Sequence, residues 1–175
     1  MKKFFLPIVF SGLILFAFSG CEELLDKIGV TINTDYTEFD FTVNPDQAGT
    51  YAETVEIVDS DLDSLIEAEG QDMGELNSVK IKDATIQVMG EGNLDPFESF
   101  LMTIEAPGKE KITIAEVATV PTGLTEMPLT KEEADLSDYL KSDQYTIKVK
   151  TVLDQDLEVH RNMQLSVRYE IKVGL

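Results

Sequence analysis

From Leu157 to Val173 the side chains alternate. Leu157, Val159, Met163, Leu165, Val167, Tyr169, Ile171 and Val173 share one parity, and Glu158, His160, Asn162, Gln164, Ser166, Arg168, Glu170 and Lys172 share the other. A helix, repeating every 3.6 residues, cannot gather the first set on one face; a strand does, with one face on a core and the other in water. Tyr145, Ile147, Val149, Thr151 and Leu153 repeat the pattern upstream, and Asp154-Gln155-Asp156 is a short polar connector, so the pair reads as an antiparallel hairpin. A single strand over 157–173 would span about 56 Å, beyond the usual length. Arg161 interrupts the apolar parity, which predicts a bulge or bend near Arg161-Asn162.

The same alternation recurs earlier, each time with a slip. Ile28, Val30 and Ile32 give way to Phe39, Phe41 and Val43 near Asn33-Thr34-Asp35. Val79 and Ile81 give way to Ala84, Ile86 and Val88 around Lys82-Asp83, and Ile112 and Ile114 to Ala115 and Val117. Slips of this kind mark bulges or turns in strands that bend between two packed sheets. Thr54–Val58, Ser99–Glu105 and Leu124–Leu129 supply further strands, separated by turn residues at Asn44-Pro45-Asp46, Gly90–Asn93, Ala106-Pro107-Gly108 and Pro121-Thr122-Gly123. Two segments keep a helical period. Ser60–Glu69 places Leu62, Leu65 and Ile66 on one face behind a capping Ser60 and stops at Gly70. Thr130–Lys141 carries a Thr130/Glu133 capping box and a Leu136, Tyr139, Leu140 stripe. The expected fold is mainly β: one antiparallel β-sandwich of about seven to nine strands over residues 28–175, its ends plugged by two short crossover helices.

Few residues offer chemistry. Asp59, Asp61 and Asp63 stand at alternate positions, as in the opening of many calcium loops. The Gly and Glu that such a loop needs at its sixth and twelfth positions are replaced by Ser64 and Gly70, and capping of the following helix accounts for the three acids without metal. His160 is the only histidine and falls on the solvent parity, which argues against a Ser-His or Cys-His nucleophile. Tyr145 and Tyr169 follow the core parity and Tyr139 the helix stripe, leaving Tyr36 and Tyr51 as exposed aromatic platforms on which a sugar could stack. No catalytic residue and no cofactor is expected.

The N-terminus says where the chain resides. Lys2 and Lys3 precede a run from Phe4 to Phe18 that is apolar apart from Pro7, Ser11 and Gly12, and Ser19 and Gly20 lead into Cys21. Residues 1–20 have the proportions of a secretory signal peptide, and their fifteen-residue run from Phe4 to Phe18 is shorter than the ~20 apolar residues of a membrane span. Phe18-Ser19-Gly20-Cys21 resembles the lipobox of bacterial lipoproteins, with Phe18 where Leu is commonest. The resemblance implies cleavage between Gly20 and Cys21, diacylglycerol on the Cys21 thiol, and a fatty acyl chain such as palmitate on the new amine. Residues 21–27 then form a lipidated tether. Glu22 and Glu23 resemble the acidic signals that route some Gram-negative lipoproteins outward, which points to the outer membrane without choosing its face.

Losing Lys2 and Lys3 with the leader takes the formal charge from −19 to −21, so nucleic acid and anionic lipid headgroups are repelled. Cys21 is the only cysteine, which excludes a disulfide within the chain and a cysteine-based zinc site. In its acidity, strands and small end helices the chain resembles bacterial envelope lipoproteins with an immunoglobulin-like sandwich. Three functions follow in order: a non-catalytic, lipid-anchored binding or structural subunit of the envelope; a glycan- or nutrient-binding accessory of an outer-membrane uptake system; and a carboxylate-based hydrolase.

Overall fold

The computed structural model describes residues 29–174. The expected signal peptide over 1–20, with Gly20, Cys21, the expected tether over 21–27 and Ile28, lies outside the described residues. Among the described residues ten strands form two five-stranded antiparallel sheets. In the first, β1 (Val30–Asn33) and β2 (Thr37–Val43) lie end to end along one edge of β10 (Arg161–Val173), whose other edge holds β4 (Leu76–Val88), followed by β7 (Glu126–Pro128). The second runs β3 (Tyr51–Asp59), β9 (Gln144–Leu153), β5 (Phe97–Glu105), β6 (Ile112–Val117) and β8 (Thr130–Lys131).

The mainly-β antiparallel sandwich is thus as the alternation indicates. Taking β1 and β2 as one interrupted strand, the two sheets interleave along the chain as a jelly roll does, which refines the immunoglobulin-like expectation. Between the sheets lies one apolar core, with Ile86, Met102, Ile104, Leu165, Val167 and Ile171 fully buried.

The parity slips are real irregularities. β4 skips Lys82 opposite the Arg168–Tyr169 step of β10, and β6 bulges at Ile114 opposite Met102–Thr103, which turns both Ile114 and Ala115 inward. At Thr34–Tyr36 the first strand breaks altogether. The expected bend near Arg161-Asn162 is where β10 begins. Val159 and His160 stay outside, and Leu157 turns inward on a lone bridge to Asp46.

Two expectations need correction. β9 and β10 are not a hairpin: they lie in different sheets, and residues 154–160 carry the chain across the end of the sandwich. Alternation reports which face of a strand is buried and is silent about its neighbours. The second helical segment is also shorter than its period suggests. Thr130 pairs with Glu116 in β8 and Glu133 pairs with Lys80, so the capping box does not form. Helix α2 is a single turn, Ser137–Leu140, with Leu136 at its N-cap, and the carboxylate of the preceding Asp135 accepts from the Ser137 amide. Helix α1 (Leu62–Ala68) does form where expected, burying Leu62 and Ile66, and crosses from one sheet to the other.

Candidate functional site

The break between β1 and β2 opens a partly enclosed hollow between the two sheets. Opposite it, the backbone of Tyr169 is served by Thr34 instead of by a strand. The Thr34 amide donates to the Tyr169 carbonyl (3.1 Å), and the Tyr169 amide donates to Thr34 Oγ1 (3.0 Å). Asp35 and Tyr36 therefore leave the sheet plane and remain exposed. On the facing sheet β3 ends at Asp59, and the chain turns through Ser60 and Asp61 into α1. Ser60 Oγ donates to the Leu140 carbonyl, which ties this turn to the end of α2. Between these two corners remains a cavity of about 250 Å³, lined by Asp35, Tyr36, Asp61, Leu62, Tyr145 and Tyr169 among others.

Two phenols meet there from opposite sheets, Tyr145 of β9 and Tyr169 of β10, both buried as their parity requires. The Tyr169 hydroxyl is fully buried and has no hydrogen-bond partner among the described residues. A buried hydroxyl without a partner costs roughly 1–3 kcal/mol, so such groups are rare and call for an explanation. Burial pushes the Tyr169 phenol well above its usual range, and the adjacent Tyr145 phenol and Asp61 carboxylate push it further. Burial raises Tyr145 as well, against a downward pull from the neighbouring Tyr169 hydroxyl, whose contact with it falls short of good hydrogen-bond geometry, and with a lesser upward push from Asp61. Both phenols therefore stay neutral at physiological pH, each able to donate and accept one hydrogen bond.

The residues singled out in the sequence divide between two places. Tyr36 and Asp61 come together at the cavity. Asp59 accepts from Gln144 Nε2 at 2.7 Å, and Asp63 occupies the first turn of α1, so the three acids do not converge. Among the described residues no group of three His, Cys, Asp or Glu side chains is placed to hold a metal ion. Tyr51 lies elsewhere, on the outer face of edge strand β3, with Lys150 Nζ 4.2 Å from its ring centroid and the exposed Val55 and Ile57 in the same row. Tyr36 has a cation of its own, the Arg168 guanidinium 4.8 Å from its ring centroid, which Asp83 also binds. Sequence reasoning missed Tyr145 and Tyr169 because core parity hides a polar tip. The available signal was the slip at Asn33–Asp35, which removes a strand from beside Tyr169.

A second, shallower hollow between Asp40, Thr42, Met89 and Asn162 has its polar groups in use: Gln164 Nε2 donates to Asp40 at 2.9 Å, and Thr42 Oγ1 donates to Asn162 at 3.0 Å.

No family model and no curated protein matches the chain. Among solved structures it is similar to the decameric BFDV capsid protein, at 10% identity and a TM-score of 0.44, covering 85% of this chain and 100% of that one. It is also similar to the structure of Cocksfoot mottle virus (14% identity, TM-score 0.30, 100% and 97% covered). A third is the semi-empty VLP of the Macrobrachium rosenbergii nodavirus (8% identity, TM-score 0.26, 100% and 94% covered).

Proposed function

We propose that the protein is a lipid-anchored subunit of a bacterial cell envelope, held at the outer membrane through Cys21, whose jelly-roll domain binds a ligand or partner without catalysing a reaction. The observation that carries this reading is the apolar run ending in Ser19-Gly20-Cys21, separated by a few residues from a domain whose first strand begins at Val30. An acylated Cys21 gains about 0.8 kcal/mol per buried methylene, enough with more than one chain for stable anchoring. Among the described residues no helix is long and apolar enough to cross a membrane.

The electrostatics favour binding over hydrolysis. A carboxylate hydrolase separates the pKa values of two acids and holds one of them high as the general acid. The carboxyl groups that depart from their usual range here, Glu133, Asp135 and Asp138, all move down, held by Lys80, by Ser137 and Val79, and by Lys109 respectively. The glycan-accessory reading draws on the aromatic, acidic cavity beside Tyr36.

Replacing Cys21 by Ser tests the anchor. Cells fed a labelled fatty acid should label the parent protein, and C21S should be unlabelled and either uncut or released from membranes. Labelled C21S, or a parent protein whose residue 21 carries no lipid by mass spectrometry, overturns the assignment.

A further inference from the structure

We propose that the cavity beneath the β1–β2 break binds a neutral polyhydroxylated ring of monosaccharide size, held between the Asp35 and Asp61 carboxylates and the Tyr145–Tyr169 phenol pair. The inference rests on the binding reading above and is independent of the lipid anchor. Its size sets the first limit. At about 250 Å³ the hollow lies just under the ~300–1,000 Å³ of sites for drug-sized ligands, so one small ring fills it.

The polar groups set the second limit. Thr34 and Ser60 are occupied by backbone partners, which leaves two carboxylates, able only to accept, and the hydroxyls of Tyr36, Thr37, Tyr145 and Tyr169, each able to donate and to accept. The Tyr169 hydroxyl is too deeply buried to meet a ligand itself and acts through Tyr145 beside it; however the two phenols bond to each other, one O–H still needs an acceptor. The ligand must donate towards Asp35 and Asp61 and accept from the phenols. A hydroxyl group does both. An ammonium donates but cannot accept, and a carboxylate or phosphate would face two like charges with no cation among the lining residues. An apolar ligand would leave one O–H of the phenol pair without an acceptor. Leu62, Leu65, Leu140 and Ile171 supply apolar surface for the C–H face of such a ring, and Tyr36 adds aromatic surface where the hollow meets solvent.

The test uses the full-length protein in a detergent without a sugar headgroup, titrated with glucose, galactose, mannose, fucose and N-acetylglucosamine. Calorimetry and saturation-transfer NMR follow binding. At least one sugar should bind saturably. Tyr169→Phe should weaken it by about tenfold or more without lowering the melting temperature, and Asp61→Ala should weaken it comparably, while Tyr51→Ala leaves it unchanged. A flat response across the panel, full affinity in both Y169F and D61A, or tighter binding of putrescine or acetate at the same site would overturn the proposal. A flat panel from a protein that still captures an envelope partner sinks this site alone. Saturable sugar binding by protein with an unmodified Cys21 sinks the anchor and leaves the site standing.

Discussion

The two ends of the sandwich are closed by different means, and only one of them is filled within, since the hollow beside it at Asp40, Thr42, Met89 and Asn162 lies among exposed side chains. At the end where β2 leads to β3, β4 to β5, β6 to β7 and β9 to β10, the loops hydrogen-bond directly to one another. Gly49 N donates to Leu153 O (2.8 Å), Leu94 N to Leu124 O (2.7 Å), Asp154 N to Pro96 O (2.9 Å), and Leu157 N to Asp46 O (2.8 Å). Beneath them Leu94, Phe97 and Phe100 are buried, the two rings 5.2 Å apart. Even Arg161 Nε, the one buried side-chain nitrogen at this end without a partner among the described residues, is hemmed in. Gly92, at φ 110°, lies so close that a Cβ there would stand 2.8 Å from Arg161 Cζ. The opposite end is closed by α1 and α2, whose rigid faces meet the broken β1–β2 edge imperfectly and leave the tyrosine cavity. Loops can settle onto each other; a helix offers one fixed face and leaves its corner open.

Substitutions with opposite signs test that contrast most sharply. Phe100→Ala at the filled end removes a ring that is 1% exposed and should cost about 3–5 kcal/mol in urea denaturation. Tyr169→Phe at the other end removes a buried hydroxyl whose one polar neighbour, Tyr145, is not in good hydrogen-bond geometry. Stability should stay level or rise by up to about 1–2 kcal/mol. A loss above about 1 kcal/mol in Y169F would mean that its hydroxyl is satisfied and that both ends are equally well made.

Asp135 gives an intermediate effect at the helical end. Its Oδ1 accepts from the Val79 amide at 3.0 Å, from the Ser137 amide at 3.0 Å and from the Ser137 hydroxyl at 2.6 Å, so one carboxylate ties α2 to β4. Burial pushes this acid up, but the hydrogen bonds from Ser137 and Val79 outweigh it and hold it below the usual aspartate value of 3.8. A carboxyl group lowered on folding stabilises at pH values above its unfolded pKa, and that contribution is lost as pH falls through the folded value. Asp135→Ala should therefore cost about 0.5–2 kcal/mol at pH 7, and the difference from the parent should shrink as the pH falls below 3.8. A difference independent of pH down to acid unfolding would remove the charge from this account.

Much of this was legible in the alternation, including the irregularities. The slips at Asn33–Asp35, Lys82-Asp83 and Ile114-Ala115 each became a break or a bulge, because a residue that must change faces can do so only by leaving the ladder. Strand partnership was not legible. Tyr145–Leu153 and Met163–Val173 would bury the same side chains as a hairpin or as members of facing sheets. Nor was the length of α2, since Thr130 and Glu133 make a sound local cap that distant Glu116 and Lys80 claim instead. The cavity was half visible. Tyr36 and Asp61 stood out for separate reasons, as a sugar platform and a calcium ligand, and only the fold brings them together beside two tyrosines whose burial was correctly expected.

The smallest effect separates tethering by a carboxylate from mere charge. Glu133 lies two residues from Asp135 and is also lowered, by a 2.9 Å hydrogen bond and ion pair with Lys80, which is raised in return. Both of these side chains are well exposed, so water and salt screen the pair. Its contribution has the same sign as that of Asp135, present above the unfolded glutamate value and lost on acidification, but it should be far weaker. Glu133→Gln should shift the melting temperature slightly at low ionic strength and not measurably in molar salt, whereas the loss in Asp135→Ala should persist in both, because bonds to the Val79 and Ser137 amides do not depend on a mobile partner. If salt erased the Asp135 effect too, α2 would be held by surface charge, and the helical end would be looser than its hydrogen bonds imply.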